Sequence, residues 1–140
     1  MLFPISYSKL VEFEEKTETL YIDPESIVDI EAPIFNGGVL HSQCNIWVDH
    51  SSTTPITVLL PIEEVAGWID LCYNKLQKKC PFMYISSNLY VNAKYVDALE
   101  PIPNTSDVSV SISCSVISIT LRNRTAEEVA KQINAVLESV

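Results

Sequence analysis

The two histidines of the chain lie in the segment HSQCNIWVDH, together with a cysteine and an aspartate. Imidazole, thiolate and carboxylate groups are common zinc ligands, so His41, Cys44, Asp49 and His50 are candidates for a metal site. In an extended strand, however, Cys44 and His50 lie about 20 Å apart, which is too far to share one ion. The spacing argues against a metal centre, and we expect neither a metal nor any other cofactor.

The run Asp49-His50-Ser51-Ser52 also supplies the residue types of a hydrolase triad. A triad places nucleophile, base and orienting acid in one line, which neighbouring residues cannot easily do, so a polar hairpin turn explains this run better. The chain contains neither a Gly-x-Ser-x-Gly elbow nor a glycine-rich phosphate loop. The acid pairs Glu63-Glu64 and Glu127-Glu128 lie in predicted first helical turns, where negative charge is stabilising anyway. We therefore predict that the protein is not an enzyme.

The cysteines and the chain start indicate a cellular compartment. No Cys-x-x-Cys pair occurs, and the spacing of Cys44, Cys72, Cys80 and Cys114 fits no zinc module, so buried free thiols are expected. The first ten residues have no basic region and no cleavage site, and the longest apolar runs are short. We expect a cytoplasmic protein, in the host cytoplasm if it is viral, without membrane contact.

Composition limits the class of partner. The chain of 140 residues is 47% hydrophobic and carries 18 acidic against 9 basic side chains, a net charge of -9. An acidic surface repels phosphate backbones, so no nucleic-acid partner is expected. The same surface suits a basic host protein.

Two stretches of the chain resemble each other. Residues 20–34 read LYIDPESIVDIEAPI and residues 89–103 read LYVNAKYVDALEPIP. Each copy is followed by a turn, two strand-like runs and a predicted helix, which opens as EEVAGWI in the first copy and EEVAKQI in the second. Similar pieces in the same order indicate an internal duplication. We therefore divide the chain into a first β-rich repeat over residues 1–80 and a second over residues 81–140, each ending in a helix.

The periodicity of apolar residues predicts the elements of each repeat. Alternating runs predict strands, and the first hairpin is expected from residues 9–15 and 19–23. Asn36-Gly37-Gly38 predicts a turn, and Thr125 with Glu128 predicts a capping box before the last helix. The fold class is then α+β. Each repeat is expected to form an antiparallel sheet of four to five strands closed by one C-terminal helix, the two packed pseudo-symmetrically as one body.

Each copy resembles the FlbD family of small flagellar proteins. The matching residues are the strand 26–31 with Glu63-Glu64-Val65 and Ile69, and in the second copy the strand 95–100 with Glu127-Glu128-Val129 and Ile133. The resemblance covers most of the chain as a pattern of apolar positions and includes no catalytic motif. It implies a small non-enzymatic β-rich module, of a kind that joins assemblies.

Several residues are candidates for contact with other molecules. Trp47 is predicted on the strand face opposite Cys44, where an exposed indole would anchor an interface; burial under the helix that contains Trp68 is the alternative. Tyr21 and Tyr90 occupy equivalent repeat positions, where they would frame a groove or pack in the core. The uncharged strand face of Val108, Val110 and Ile112 would pair at a sheet edge, or lie centrally in a closed monomer. The candidate anion partners of the second copy are Arg122, Arg124 and Lys94.

These features lead to a prediction of function. We expect a non-catalytic protein-interaction or assembly module that self-associates as a homo-oligomer, of phage or mobile-element origin. One alternative is an acidic inhibitor or host-takeover factor that covers a basic site on a host protein. Another is a small-molecule binder that uses the cleft between the repeats.

Overall fold

A computed structural model describes residues 1–49, 54–112 and 118–139 of the chain. Within these ranges the chain forms two α-helices, α1 (Ile62–Lys75) and α2 (Ala126–Ser139), and a series of β-strands. The strands are β1 (Phe3–Val11), β2 (Glu14–Ile22), β3 (Ile27–Glu31), β4 (Ile34–Phe35), β5 (Gly38–Val39), β6 (Cys44–Val48), β7 (Ile56–Val58), β8 (Phe82–Ser86), β9 (Leu89–Asn92), β10 (Val96–Pro101), β11 (Val108–Ile112) and β12 (Ser118–Leu121).

A five-stranded antiparallel sheet forms the centre of the molecule, in the order β7-β6-β3-β9-β8. Its middle strand β3 is buried on both faces, as its nearly continuous apolar sequence IVDI requires. The apolar stripe of α1 packs in the same core as one face of this sheet. The fully buried side chains of that core include Ile27, Ile30, Ile46, Val58, Ile62, Val65 and Ile69.

A second core lies on the other side of the central sheet. It is built from the three-stranded sheet β10-β11-β12, from α2 and from residues of β3, β8 and β9. Its most buried side chains are Val28, Ile85, Val91, Val108, Val110 and Val129. Neither α1 nor α2 is long and apolar enough to cross a membrane.

The first hairpin differs from its predicted register. Strands β1 and β2 pair over their whole lengths, and the chain reverses at Glu12 and Phe13 rather than between residues 15 and 19. Both turn residues have positive φ, 52° and 66°, which a two-residue hairpin requires and which favours glycine or asparagine. Glutamate and phenylalanine are not typical of such a turn, and the predicted position of the first hairpin was therefore wrong. The predicted turn at Asn36-Gly37 is confirmed, with φ of 52° and 79°.

The predicted α+β class, with antiparallel sheets and two helices, is confirmed. The prediction of one separate sheet for each repeat is wrong, because β3 from the first half pairs with β9 from the second. Their register joins Asp29 to Val91 and Ile30 to Tyr90. The division between residues 80 and 81 stays a prediction, and it lies between α1 and β8.

Local geometry is nevertheless similar in the two related stretches. Asp23 and Asn92 each accept a hydrogen bond on their side-chain oxygen from the backbone N–H two residues on, at 3.0 Å in both cases. Each then begins a short 3-10 turn that leads into β3 or β10. Both strands also carry a register irregularity near their start, between Ile27 and Asp29 and between Val96 and Ala98.

The cap of α2 gives a first testable prediction. The Thr125 hydroxyl accepts a hydrogen bond from the backbone N–H of Glu128 at 3.1 Å, which is the main-chain half of the predicted capping box. Thr125→Ala is expected to lower the free energy of unfolding by about 1 kcal/mol, measured by urea denaturation. Thr125→Ser keeps the hydroxyl and is the matched control. An equal loss in both variants would contradict a role for the hydroxyl.

Candidate anion-binding groove

Both arginines of the chain line one groove. The groove has a volume of about 450 Å³ and lies where the β8–β9 turn meets the turn between β12 and α2. We call it the arginine groove and define it by the residues that carry its chemistry: Glu31, Ile34, Ser86, Asn88, Arg122 and Arg124. Two guanidinium groups on one recess are the side chains expected to bind an anion such as a phosphate.

Arg124 is held in place by two groups of the protein. Its Nη1 donates to the backbone carbonyl of Ile85 at 2.7 Å, and its Nη2 donates to Oε1 of Gln132. The half-buried guanidinium thus ties α2 to the end of β8. A guanidinium has five N–H donors, so donors remain for a ligand after these two bonds.

Arg122 has no such anchors. It is exposed, and it makes no hydrogen bond or ion pair with any residue that the structure describes. Asn123 follows it with φ of 56°, and the Asn123 backbone N–H donates to Oδ1 of Asp107 at 3.2 Å. This turn places the exposed guanidinium of Arg122 at the rim of the groove.

The opposite wall is a tightly bonded turn. The Ser86 hydroxyl donates to Oδ1 of Asn88 at 2.8 Å, and Nδ2 of Asn88 donates to the carbonyl of Ala32 at 3.1 Å. The Ala32 N–H donates in turn to the Asn88 carbonyl at 2.9 Å. The adjacent Ile34 is 54% exposed and adds an apolar surface to the wall. These bonds occupy the side-chain polar groups of Ser86 and Asn88 on this wall.

Glu31 is the acidic member of the groove. Its side chain is half-buried, and this burial raises the pKa of its carboxyl above the ordinary value. Among the described residues it forms no ion pair with either arginine, although all three line the same recess. The groove is therefore lined by an acidic side chain and by two basic side chains that form no ion pair with it.

Three of the predicted contact residues lie elsewhere, in the second core. Val108, Val110 and Ile112 are buried, and their strand β11 is central between β10 and β12. The prediction that this strand offers an edge for contact is wrong, because both of its edges are paired within the chain.

The aromatic candidates do not converge either. Tyr21 is 63% exposed, whereas Tyr90 is buried, stacks on Phe82 and donates its hydroxyl to Oδ1 of Asp70 at 3.0 Å. The two equivalent tyrosines therefore do not frame a shared groove. Trp47 is half-buried, and its indole N–H is buried without a partner among the described residues.

The metal and triad candidates are only partly described. His41 Nδ1 lies 3.1 Å from Oε1 of Glu63, and Cys44 is buried, with a pKa raised to about 12 by its burial. In the described ranges no three His, Cys, Asp or Glu residues form a metal-binding group. The candidates His50, Ser51, Ser52 and Cys114 lie outside the described residues.

Sequence reasoning selected the two arginines but missed the rest of the groove. In the sequence, Glu31 is only part of a repeated strand pattern, and Asn88 lies in a turn without a functional motif. In the chain, Arg122 lies 34 positions after Asn88 and 88 positions after Ile34, so no local spacing joins the two walls.

The chain was compared with known proteins. It matches no protein family and no curated protein. Among solved structures it is similar to a LytTr DNA-binding domain of a methyl-accepting/DNA response regulator from Bacillus cereus, with a TM-score of 0.51 and 12% sequence identity. The match covers 96% of this chain and 95% of that chain. The two chains share a fold.

This likeness corrects the predictions of function and partner. Self-association of an assembly module was inferred from the uncharged strand, and its phage or mobile-element origin from the duplicated design and the lack of a recognisable activity. The inhibitor alternative came from the acidic charge, and the small-molecule alternative from the cleft between the repeats. The solved structure with this fold is a DNA-binding domain instead, so the predicted function is wrong, and so is the partner prediction in its expectation of no nucleic acid. Neither self nor a basic host protein as partner gains support from this likeness. The error arose because net charge averages over the whole surface, whereas a binding site uses local charge. The FlbD resemblance stays a prediction.

Proposed function

We propose that the protein is a DNA-binding domain that contacts phosphate groups through its arginine groove. The observation that carries the proposal is the position of Arg122 and Arg124 on one recess of a fold shared with a DNA-binding domain. Arginine matches phosphate through paired N–H donors, and such contacts provide much of the affinity of proteins for DNA.

The net charge of the chain sets the expected strength of binding. With 18 acidic and 9 basic side chains, most of the surface repels a phosphate backbone. Several of the other cations are also paired, such as Lys78 with Glu25 at 3.0 Å and Lys9 with Glu18 at 3.6 Å. Binding should therefore rest on few phosphate contacts and be only moderately sensitive to salt.

The test is a salt titration of DNA affinity. Fluorescence anisotropy with a labelled oligonucleotide, as duplex and as single strand, is measured from about 50 to 200 mM salt. Two phosphate contacts predict a slope of log K against log salt of about -1.8 for the duplex and about -1.4 for the single strand. Arg122→Ala should weaken binding and make the duplex slope shallower by about 0.9, because it removes a cation that makes no bond to any residue that the structure describes.

Lys16→Ala is the matched control, since it makes the same change in charge on the exposed strand β2. It should leave both affinity and slope close to those of the unmodified protein. Equal effects of the two variants would mean that overall charge, and not the groove, governs binding. No binding of either DNA form at the lowest salt would refute the proposal.

Three narrower statements belong with this proposal. We infer that the protein acts by binding without catalysis and that it works in the cytoplasm. We also infer that residues 20–34 and 89–103 derive from a duplication, in two repeats that pack pseudo-symmetrically. The matching caps at Asp23 and Asn92 and the matching strand irregularities that follow them support this origin.

A further inference from the structure

We propose that the arginine groove takes one unpaired nucleotide whose base carries an amino group, as in cytosine or adenine. The phosphate would lie against Arg122 and Arg124, and the base amino group would donate to the Glu31 carboxylate. This inference rests on the proposed DNA-binding function and specifies the form and base class of the ligand.

The first support is the shape of the site. The arginines and Glu31 line a recess of about 450 Å³, a volume within the range of small-molecule sites. The base edges of a duplex lie at the bottom of a groove about 8.5 Å deep, and a protruding helix or ribbon is needed to reach them. A recess cannot enter that groove, so the nucleotide must leave the stack, or be single-stranded, to reach these side chains.

The second support is the charge arrangement. A site for phosphate alone would gain nothing from an acid, since Glu31 repels the anion that the arginines attract. Yet Glu31 lines the recess, half-buried and without an ion pair to either arginine. A ligand with an anionic end and a hydrogen-bond donor would satisfy both signs of charge at once. A nucleotide with an exocyclic amino group has both.

The third support is the remaining surface. Ile34 offers an exposed apolar side chain beside the polar groups, and base faces pack on such surfaces. The Ser86 hydroxyl already bonds to Asn88, and Asn88 bonds to Ala32, so Glu31 is the charged acceptor that the described part of the groove offers to a base edge. A carboxylate accepts from the cytosine or adenine amino group, whereas thymine presents a carbonyl oxygen at that position.

The test compares four probes of similar concentration: oligo-dC and oligo-dT strands of about 12 nucleotides, a dC·dG duplex of the same length, and free dCMP. We expect the dC strand to bind at least about fivefold more tightly than the dT strand, the discrimination that one base contact gives. The duplex should bind more weakly than the dC strand. Equal affinity for dCMP and for the dC strand would support a site that takes one unpaired nucleotide.

Two variants separate base recognition from phosphate contact. Glu31→Gln should abolish the preference for dC and strengthen dT binding, because it removes the repulsive charge and keeps the side-chain volume. Arg122→Ala should weaken dC and dT binding by the same factor. A purely structural role of Glu31 would instead weaken all probes together, and circular dichroism verifies that each variant is folded.

The outcomes distinguish this inference from the broader proposal. Tighter binding of duplex than of either strand would overturn the inference and leave DNA binding intact. A dC preference that persists in Glu31→Gln would exclude the assigned role of Glu31. Failure of every probe to bind would remove both proposals.

Discussion

Replacing Asp29 with asparagine is expected to stabilise the protein by a few kcal/mol at about pH 8 and by much less at about pH 5. Asp29 is fully buried in β3, and neither carboxylate oxygen has a hydrogen-bond partner among the described residues. Burial, and to a smaller extent the nearby Glu31, raises its pKa from 3.8 to about 7. An ionised carboxylate without partners is costly in such a site.

The direction of the effect follows from proton binding. Between about pH 4 and pH 7 the folded protein keeps a proton on Asp29 that the unfolded chain has lost. The contribution of this group to stability is therefore greatest at low pH and falls as pH rises through that window. Above pH 7 the folded state contains a buried charge, and asparagine avoids that cost while keeping nearly the same volume.

Urea denaturation of the native protein and of Asp29→Asn at several pH values measures this difference. Glu15→Gln, at an exposed position of β2, removes one acidic side chain from the surface and is the control. Its difference from the native protein should not grow from pH 5 to pH 8 as that of Asp29→Asn does. A constant difference for Asp29→Asn over this range would show that Asp29 does not titrate there.

Ile30→Ala is expected to lower the free energy of unfolding by about 2 to 5 kcal/mol, the range for large-to-small changes in a core. Ile30 is completely buried next to Asp29, in the strand that joins the two halves of the central sheet. Its removal leaves a cavity under α1 at the pairing with Tyr90 of β9. The denaturation midpoint and its slope measure the loss.

Ile34→Ala is the matched control, because it makes the same chemical change four residues later at a position that is 54% exposed. A change within about 0.5 kcal/mol is expected there. Equal losses in the two variants would contradict the central position of β3. The Ile34→Ala variant also measures how much this exposed side chain of the arginine groove contributes to the free energy of unfolding.

Local sequence features predicted local structure well. The helical spacing of Val65, Ile69 and Cys72 predicts α1, and the turn letters at Asn36-Gly37 predict the β4–β5 hairpin. These elements depend on side chains within a few residues of each other, and such short-range preferences are readable in the sequence. Where a turn used unfavourable residues, at Glu12 and Phe13, the prediction placed the strands wrongly.

The sequence by itself determined the two helices of the chain, most of its strands, its α+β class and the presence of two arginines near the last helix. Only the tertiary structure decided that β3 pairs with β9, that Val110 is buried and that Glu31 lies in the same groove as Arg122. Residues 31 and 122 are far apart in the chain, and their approach depends on the packing of two sheets. Strand pairing depends on how much apolar surface whole sheet faces bury, and many side chains contribute to that burial. No single sequence motif therefore predicts which strands pair.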